Sequence, residues 1–287
     1  KNILNAIAAL VIIVFFVPYT ASGFSACGKL FATVFGMDYV LAMVIGAVVI
    51  VVYTTLGGFL AASTSDFIQS IIMTLALIGV VTFGVISAGG FDAVIENTKN
   101  MPGFIDLFHT YNGTDKPDEY GPLKIASILA WGLGYFGMPH ILLRFMAIND
   151  EKKLKLSRRI ASVWVVISLA VAVFIGIAGR ALFPVEHLTK TSAENIFITL
   201  ATSSLPPILA GFVMAGILAA TISSSDSYLL IAASAFAKNI FQGVFKKKAS
   251  DKQVMTVTRI TLLAIALIAI VIALDEDSVI FQIVSFA

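Results

Sequence analysis

Charge is what this sequence has least of. Of its 287 residues only 13% are Asp, Glu, Lys or Arg, against 59% hydrophobic, and its mean hydropathy is +0.97. Soluble domains carry about 25% charged residues, so a water-soluble enzyme is excluded. The few charges nearly cancel, 19 basic against 17 acidic, which leaves no electrostatic footprint for a nucleic-acid partner. The single cysteine, Cys27, rules out an internal disulfide framework and a cysteine-based zinc site. A phosphate-binding glycine loop, a dinucleotide glycine motif, an HExxH motif and a Ser/His/Asp grouping are all missing. No catalytic residue and no cofactor are expected. The opening apolar run lacks a small-residue cleavage site followed by a polar stretch, so it does not read as a signal peptide. What remains is an integral membrane protein with the lipid bilayer as its surroundings.

Long apolar runs are abundant. A helix needs about 20 mostly apolar residues to cross a bilayer, and seven such spans are predicted at about 3–21, 38–57, 65–88, 123–146, 159–182, 207–233 and 254–274. An eighth begins near Ser278. The runs of Ile, Val, Leu and Ala do not alternate with polar residues as barrel strands would, so the fold class is all-α. The chain begins at Lys1 without an initiator Met and stops in an apolar run. Both ends read as cut from a longer protein, and residues 1–287 as one transmembrane domain.

Basic residues in short loops orient the spans, because cytoplasmic loops carry the positive excess. Lys152, Lys153, Lys155, Arg158 and Arg159 follow the fourth span, and Lys246, Lys247, Lys248 and Lys252 follow the sixth. Both loops are placed inside. The loop 89–122 carries more acid than base (Asp92, Glu96, Asp106, Asp115, Asp118, Glu119) and is placed outside. Segment 183–206 is also outside, with TSAENIFITLATSS suited to a short helix.

Ionisable residues within spans are costly, and each is a functional hypothesis. Asp66 stands in STSDFIQS, just inside the third span, and Asp226 in LAATISSSDSYLL, about 20 residues into the sixth. The alternatives are a helix-start acid at the water boundary for Asp66 and the cytoplasmic end of a short span for Asp226. Ala220, Ser223, Ser224 and Ser227 fall at i, i+3, i+4 and i+7, on one helical face, with Asp226 beside it. Hydroxyls, carbonyls and a carboxylate together suit a hard cation such as Na⁺. Calcium would demand more carboxylates. Ordinary close packing of small residues between membrane helices is the competing reading.

The fourth span, ILAWGLGYFGMPHILLRF, is unusual in another way. Gly132, Gly134, Gly137 and Pro139 fall within eight residues, enough to interrupt or kink a helix. Trp131, Tyr135 and Pro139 stand at i, i+4 and i+8, roughly one face. Interrupted helices at mid-membrane free backbone groups that transporters use for substrates and ions. His140 and Arg144 read as a hydrogen-bonded histidine and a snorkelling cation.

At these residues a family resemblance emerges. YTTLGGFLAASTSDFIQ (Tyr53 to Gln69) and AGILAATISSSDS (Ala215 to Ser227) resemble signature segments of the sodium/solute symporter family. WGLGYFGMPHILLRFMA (Trp131 to Ala147) and FFVPYTASG (Phe15 to Gly23) are most similar to the sodium/proline symporters. The resemblance implies a LeuT-type inverted-repeat bundle, present here as core helices three to nine plus the start of ten. It implies Na⁺-coupled symport of a small amino acid, most readily L-proline, into the cell by alternating access, in a multi-pass bacterial inner-membrane protein. The main Na⁺ site would take the Ala220 carbonyl and the Ser223 and Ser224 hydroxyls, completed by a first helix upstream of Lys1. Asp66 would be the acid linked to sodium coupling, with Ser223 and Ser227 available for a second Na⁺. Asp226 stands where a small hydroxyl is common, which would favour that second ion or a proton. Substrate contacts would be Tyr19, Trp131, Tyr135 and Pro139, while Met138 replaces the glutamine expected in proline carriers. A symporter-like sensory domain, a Na⁺ symporter for another organic solute and a seven-helix receptor or retinal protein are the other readings. The last is disfavoured because the seventh span holds no lysine for a Schiff base.

Overall fold

The computed structural model describes residues 2–111, 115–184, 186, 189–276, 280 and 284. The chain is nearly all helical: α1 (Asn2–Phe35), α2 (Tyr39–Ser87), α3 (Phe91–Lys99), α4 (Pro122–Gly134), α5 (Pro139–Met146), α6 (Leu154–Leu182), α7 (Lys190–Ala193), α8 (Ile196–Ser204), α9 (Pro207–Ala235) and α10 (Asp251–Ile272). A π-helix, Phe236–Phe245, extends α9. One antiparallel ribbon pairs β1 (His109–Thr110) with β2 (Asp118–Glu119). Hydrocarbon offers no water to satisfy backbone N–H and C=O groups, so each spanning segment closes its hydrogen bonds internally as helix.

Among the described residues, seven stretches are long and apolar enough to span a bilayer: Ile3–Phe35, Tyr39–Leu60, Ala62–Ser87, Pro122–Met146, Glu151–Leu182, Pro207–Phe245 and Asp251–Ile272. These are the seven expected spans, and the chain is a multi-pass membrane protein. Ser278, where an eighth was expected, lies outside the described residues.

The boundaries differ from expectation in four places, one of them the sixth span, which runs past residue 233 through the π-helix to Phe245. The first span does not stop near residue 21, because α1 runs on to Phe35 with Pro18 inside it. Around that proline the Thr20 hydroxyl donates to the Phe16 carbonyl (2.9 Å) and the Ser22 hydroxyl to that of Tyr19 (2.7 Å), which keeps the polar groups served within the helix. The expected gap at 58–64 contracts to a single hinge at Gly58, whose φ of 61° and ψ of −164° lie where only glycine rests without strain. The basic run after the fourth span is largely helical: Lys155, Arg158 and Arg159 belong to the opening turns of α6.

The residues gather into two units, 1–76 with 187–199 and 206–287, and 77–186 with 200–205. In the first, small residues let helices approach closely. A Cβ on Gly28 would lie 2.7 Å from the Tyr39 ring, and one on Gly46 2.7 Å from Cys27 Cβ. The Tyr39 hydroxyl donates to the Ala273 carbonyl (2.8 Å) and shares a hydrogen bond with Ser25 (3.0 Å). Lys29, 7% exposed, meets Glu194 at 2.8 Å, tying α1 to the turn after α7.

In the second unit Phe91 of α3 stacks on Phe174 of α6 (5.3 Å between centroids). The acidic loop folds as α3 and the ribbon. Before β1, the Asp106 carboxylate accepts from the Phe108 N–H (2.8 Å) and meets His109 Nδ1 (2.7 Å). The Phe108 N–H, and then His109, hold the Asp106 carboxyl below the usual range.

Breaking a buried ion pair on one side strands a charge, at about 3–5 kcal/mol. Lys29→Met in the full-length protein should therefore lower the thermal midpoint in detergent more than the double change Lys29→Met/Glu194→Leu. Asp106 is depressed in the folded state, so its contribution is present above the unfolded pKa and is lost as pH falls through the lowered folded value. Hydrogen exchange at the Phe108 amide should speed up across that acid window in the natural chain and be fast and pH-insensitive there in Asp106→Asn, apart from intrinsic exchange.

Candidate functional site

The middle of α9 gathers oxygen atoms. Pro207 starts the helix, where its missing N–H costs nothing. More than four turns on, the hydroxyls of Ser223 and Ser224 both donate to the Ala220 carbonyl, each at 3.0 Å. Serine back-bonding to the i−3 and i−4 carbonyls is common in membrane helices. Here it draws three expected ligand oxygens around one point. Ser224 is exposed and Ser223 half-buried, so this cluster faces the open side of α9. Among the described residues no group of three His, Cys, Asp or Glu could hold a metal ion. The donor set is one of hydroxyls and a carbonyl, which suits a hard monovalent cation better than a transition metal.

The adjoining flank of α9 is closed. Ser225 and Asp226 are fully buried and Ser227 is 9% exposed. A Cβ on Gly23 would collide with the Ser225 side chain, so α1 crosses α9 at a glycine. Asp66, on the second half of α2, is 8% exposed. It lies in helix near the start of the stretch Ala62–Ser87. Asp226 lies inside the continuous helical stretch Pro207–Phe245. Both carboxylates act electrostatically on the Tyr53 hydroxyl, which hydrogen-bonds Ser65. The expected cation residues thus divide into an open group (Ala220, Ser223, Ser224) and a buried one (Asp66, Asp226, Ser227), all in the first unit.

The expected substrate residues are divided differently. Tyr19, 6% exposed, belongs to the first unit and stacks at a tilt on Tyr228 (4.8 Å between centroids), with Phe16 edge-on to both. Tyr228 follows Ser227 directly, so the aromatic group on α1 sits against the buried end of the oxygen cluster. The sequence reading missed Tyr228. Its only signal was an aromatic ring adjoining the serine run.

Trp131, Tyr135 and Pro139 belong to the second unit. Helix α4 ends at Gly134, Tyr135–Gly137 form a 3₁₀ turn, and Met138 is extended (φ −65°, ψ 118°) before Pro139 opens α5. The span is interrupted where its glycines and proline stand. The interruption also corrects the expected single face: Trp131 and Tyr135 keep helical spacing, whereas Pro139 starts a new helix whose phase is set afresh by Met138. Trp131 and Pro139 are half-buried and Tyr135 is 48% exposed.

Comparison with known proteins gives a consistent picture. The profile of the sodium:solute symporter family matches residues 1–287. The high-affinity proline transporter PutP of Bacillus subtilis is 39% identical over 100% of this chain and 59% of its own length. The osmoregulated proline transporter OpuE of the same organism is 38% identical, with 57% of its length covered. A sodium/proline symporter of Staphylococcus aureus is 34% identical, with 55% covered. The chain therefore spans little more than half the length of these relatives. A solved structure of a Na⁺-coupled sialic acid symporter, substrate-bound and outward-open, superposes with a TM-score of 0.74 at 19% identity, covering 95% of this chain and 58% of that one. The architecture is that of the LeuT-like helical bundle.

The α1–α9 crossing can be tested directly. Gly23→Ala should destabilise the full-length protein by about 1–3 kcal/mol, the range for overpacking a tight interior, read as a lower thermal midpoint. Among the described residues the Ser225 hydroxyl has no hydrogen-bond partner, so Ser225→Ala alone should be near neutral. In the Gly23→Ala background it should recover part of the loss. Additive effects would show that the two residues do not touch.

Proposed function

The chain belongs to the sodium:solute symporter family, and from that premise we propose that it forms the core of a Na⁺-coupled carrier for proline or a closely similar small amino acid. The observation that carries the reading is the meeting of the Ser223 and Ser224 hydroxyls on the Ala220 carbonyl. Three oxygens on one turn are fewer than a hard cation's full shell, so a further element supplies the rest. Na⁺ bound there draws that element onto α9, and this is how an ion stabilises one conformation over another: it binds the closed arrangement better. The relatives named as proline transporters support the substrate.

Asp66, Ser227 and Asp226 form a second cation subsite on the buried flank. Two carboxylates in dry surroundings favour a bound positive charge, and their shared action on Tyr53 links α2 to α9. Trp131 and Tyr135 offer flat apolar faces to the pyrrolidine ring. Pro139 and the 3₁₀ turn before it keep the helix broken, and Tyr19 stands on α1 against α9. No bond of the substrate is made or broken. Each Na⁺ moving inward down a membrane potential supplies about 2.3 kcal/mol per 100 mV.

Full-length protein in proteoliposomes should take up labelled L-proline under an inward Na⁺ gradient and fail to do so with K⁺ or a proton gradient alone. Ser223→Ala should raise the Na⁺ concentration for half-maximal uptake about tenfold, the loss of one charge-assisted contact, with little change in solute preference. Trp131→Ala should abolish uptake while Na⁺-dependent stabilisation persists. Uptake that is independent of Na⁺, or equal loss of both dependences in Ser223→Ala, would overturn the assignment.

A further inference from the structure

The turn between α5 and α6 holds a cavity that the transport reading does not use. It measures about 480 Å³ and is lined by Phe145, Glu151, Leu154, Lys155 and Arg158, all within the second unit. Its shape follows from local structure. The Asp150 carboxylate accepts from the Lys152 N–H (3.0 Å) and caps the short turn Glu151–Lys153, and α6 then begins at Leu154. Lys155 and Arg158, three residues apart, fall on neighbouring positions of one helical face. Phe145 and Leu154 give the cavity an apolar floor.

The charge around it is lopsided. Lys152, Lys153 and Arg159 flank the lining cations, and acid is limited to Asp150 and Glu151. Asp150 is engaged in its cap, and among the described residues no ion pair joins Glu151 to Lys155 or Arg158. Five cations within two helical turns repel one another, and an anion in their midst relieves that repulsion. Beyond Lys155 the same helical face turns apolar. Val166, Leu169 and Val173 stand 11, 14 and 18 residues further along α6, at i+4-type spacings, and are exposed at 67, 63 and 65%. A ligand that satisfies both halves has an anionic head and a long apolar tail.

We propose that this cavity binds the headgroup of an anionic phospholipid of the cytoplasmic leaflet, with its acyl chains lying along α6. Basic pockets at the cytoplasmic ends of membrane helices hold such headgroups, and each nearby Lys or Arg strengthens binding about fivefold. The lipid pins the α5–α6 turn at the membrane surface, directly after the second half of the interrupted span. The site is independent of the Na⁺ and proline assignments.

The test is native mass spectrometry of the delipidated full-length protein, with phosphatidylglycerol, phosphatidylcholine and inorganic phosphate added separately. Phosphatidylglycerol should be retained and the other two should not. Lys155→Gln/Arg158→Gln should weaken retention about 25-fold, Lys155→Arg/Arg158→Lys should keep most of it, and Lys246→Gln/Lys247→Gln/Lys248→Gln should leave it within twofold. The conservative pair keeps the test valid if the neutral pair does not fold. Equal retention of phosphatidylcholine, saturation by inorganic phosphate, or an equal loss in the Lys246–Lys248 variant would each overturn the proposal.

Discussion

The close crossing of α1 over α9 is the contact on which the rest of the first unit depends. Membrane helices gain nothing from the hydrophobic effect by leaving lipid for one another, so they associate through packing and polar contacts. Gly23 supplies the missing volume that lets α1 rest against Ser225. With α1 seated there, Tyr19 meets Tyr228, Ser225 to Ser227 are sealed from lipid, and the remaining side of α9 is left open with its serines. The division of α9 into an open and a closed flank is a product of this one contact. A bulkier residue in place of Gly23 would move the aromatic group and the oxygen cluster together.

Breaks in helical regularity are distributed to match. The hinge at Gly58 divides α2 ahead of Asp66, and the turn at Tyr135–Gly137 divides the fourth span. The ten-residue π-helix widens the chain directly after α9. Each break lies within or next to a segment that carries candidate site residues. The unbroken helices α6 and α10 instead keep their charged residues mostly in the first turns, followed by long, mainly apolar runs. If the chain works as the proposed carrier, these breaks are where bending would concentrate.

Much of this was legible in the sequence. Seven apolar runs gave seven spans, because hydrocarbon leaves helix as the available answer for such runs. The cluster Gly132, Gly134, Gly137 and Pro139 announced an interruption for the same backbone reasons that produce it. Serine spacing located the oxygen-bearing turn of α9. Periodicity could not say which flank of that turn would be buried, since small residues occur all around it and the answer lies with α1. The extent of α1 past Pro18 was hidden because polar residues such as Thr20, Ser22 and Ser25 read as a span's end, when they are buried between helices. Face assignments made by counting fail beyond any break, which is why Pro139 was grouped with Trp131. The family resemblance reached residues that periodicity could not rank, Tyr19 among them.

Gly58 has a stereochemical consequence. Its backbone lies in the mirror image of the extended region, and a Cβ added there would meet no atom within 4 Å apart from its own local backbone. Neighbouring elements therefore set no constraint at this hinge, and handedness, the clash of an L-configured Cβ with its own backbone, sets it. Nineteen of the genetically encoded residues are excluded by being L-configured or ring-locked, whatever their size or polarity, whereas a D-alanine would fit the bend. The joint between the two halves of α2 is thus specified by the absence of chirality at a single carbon atom.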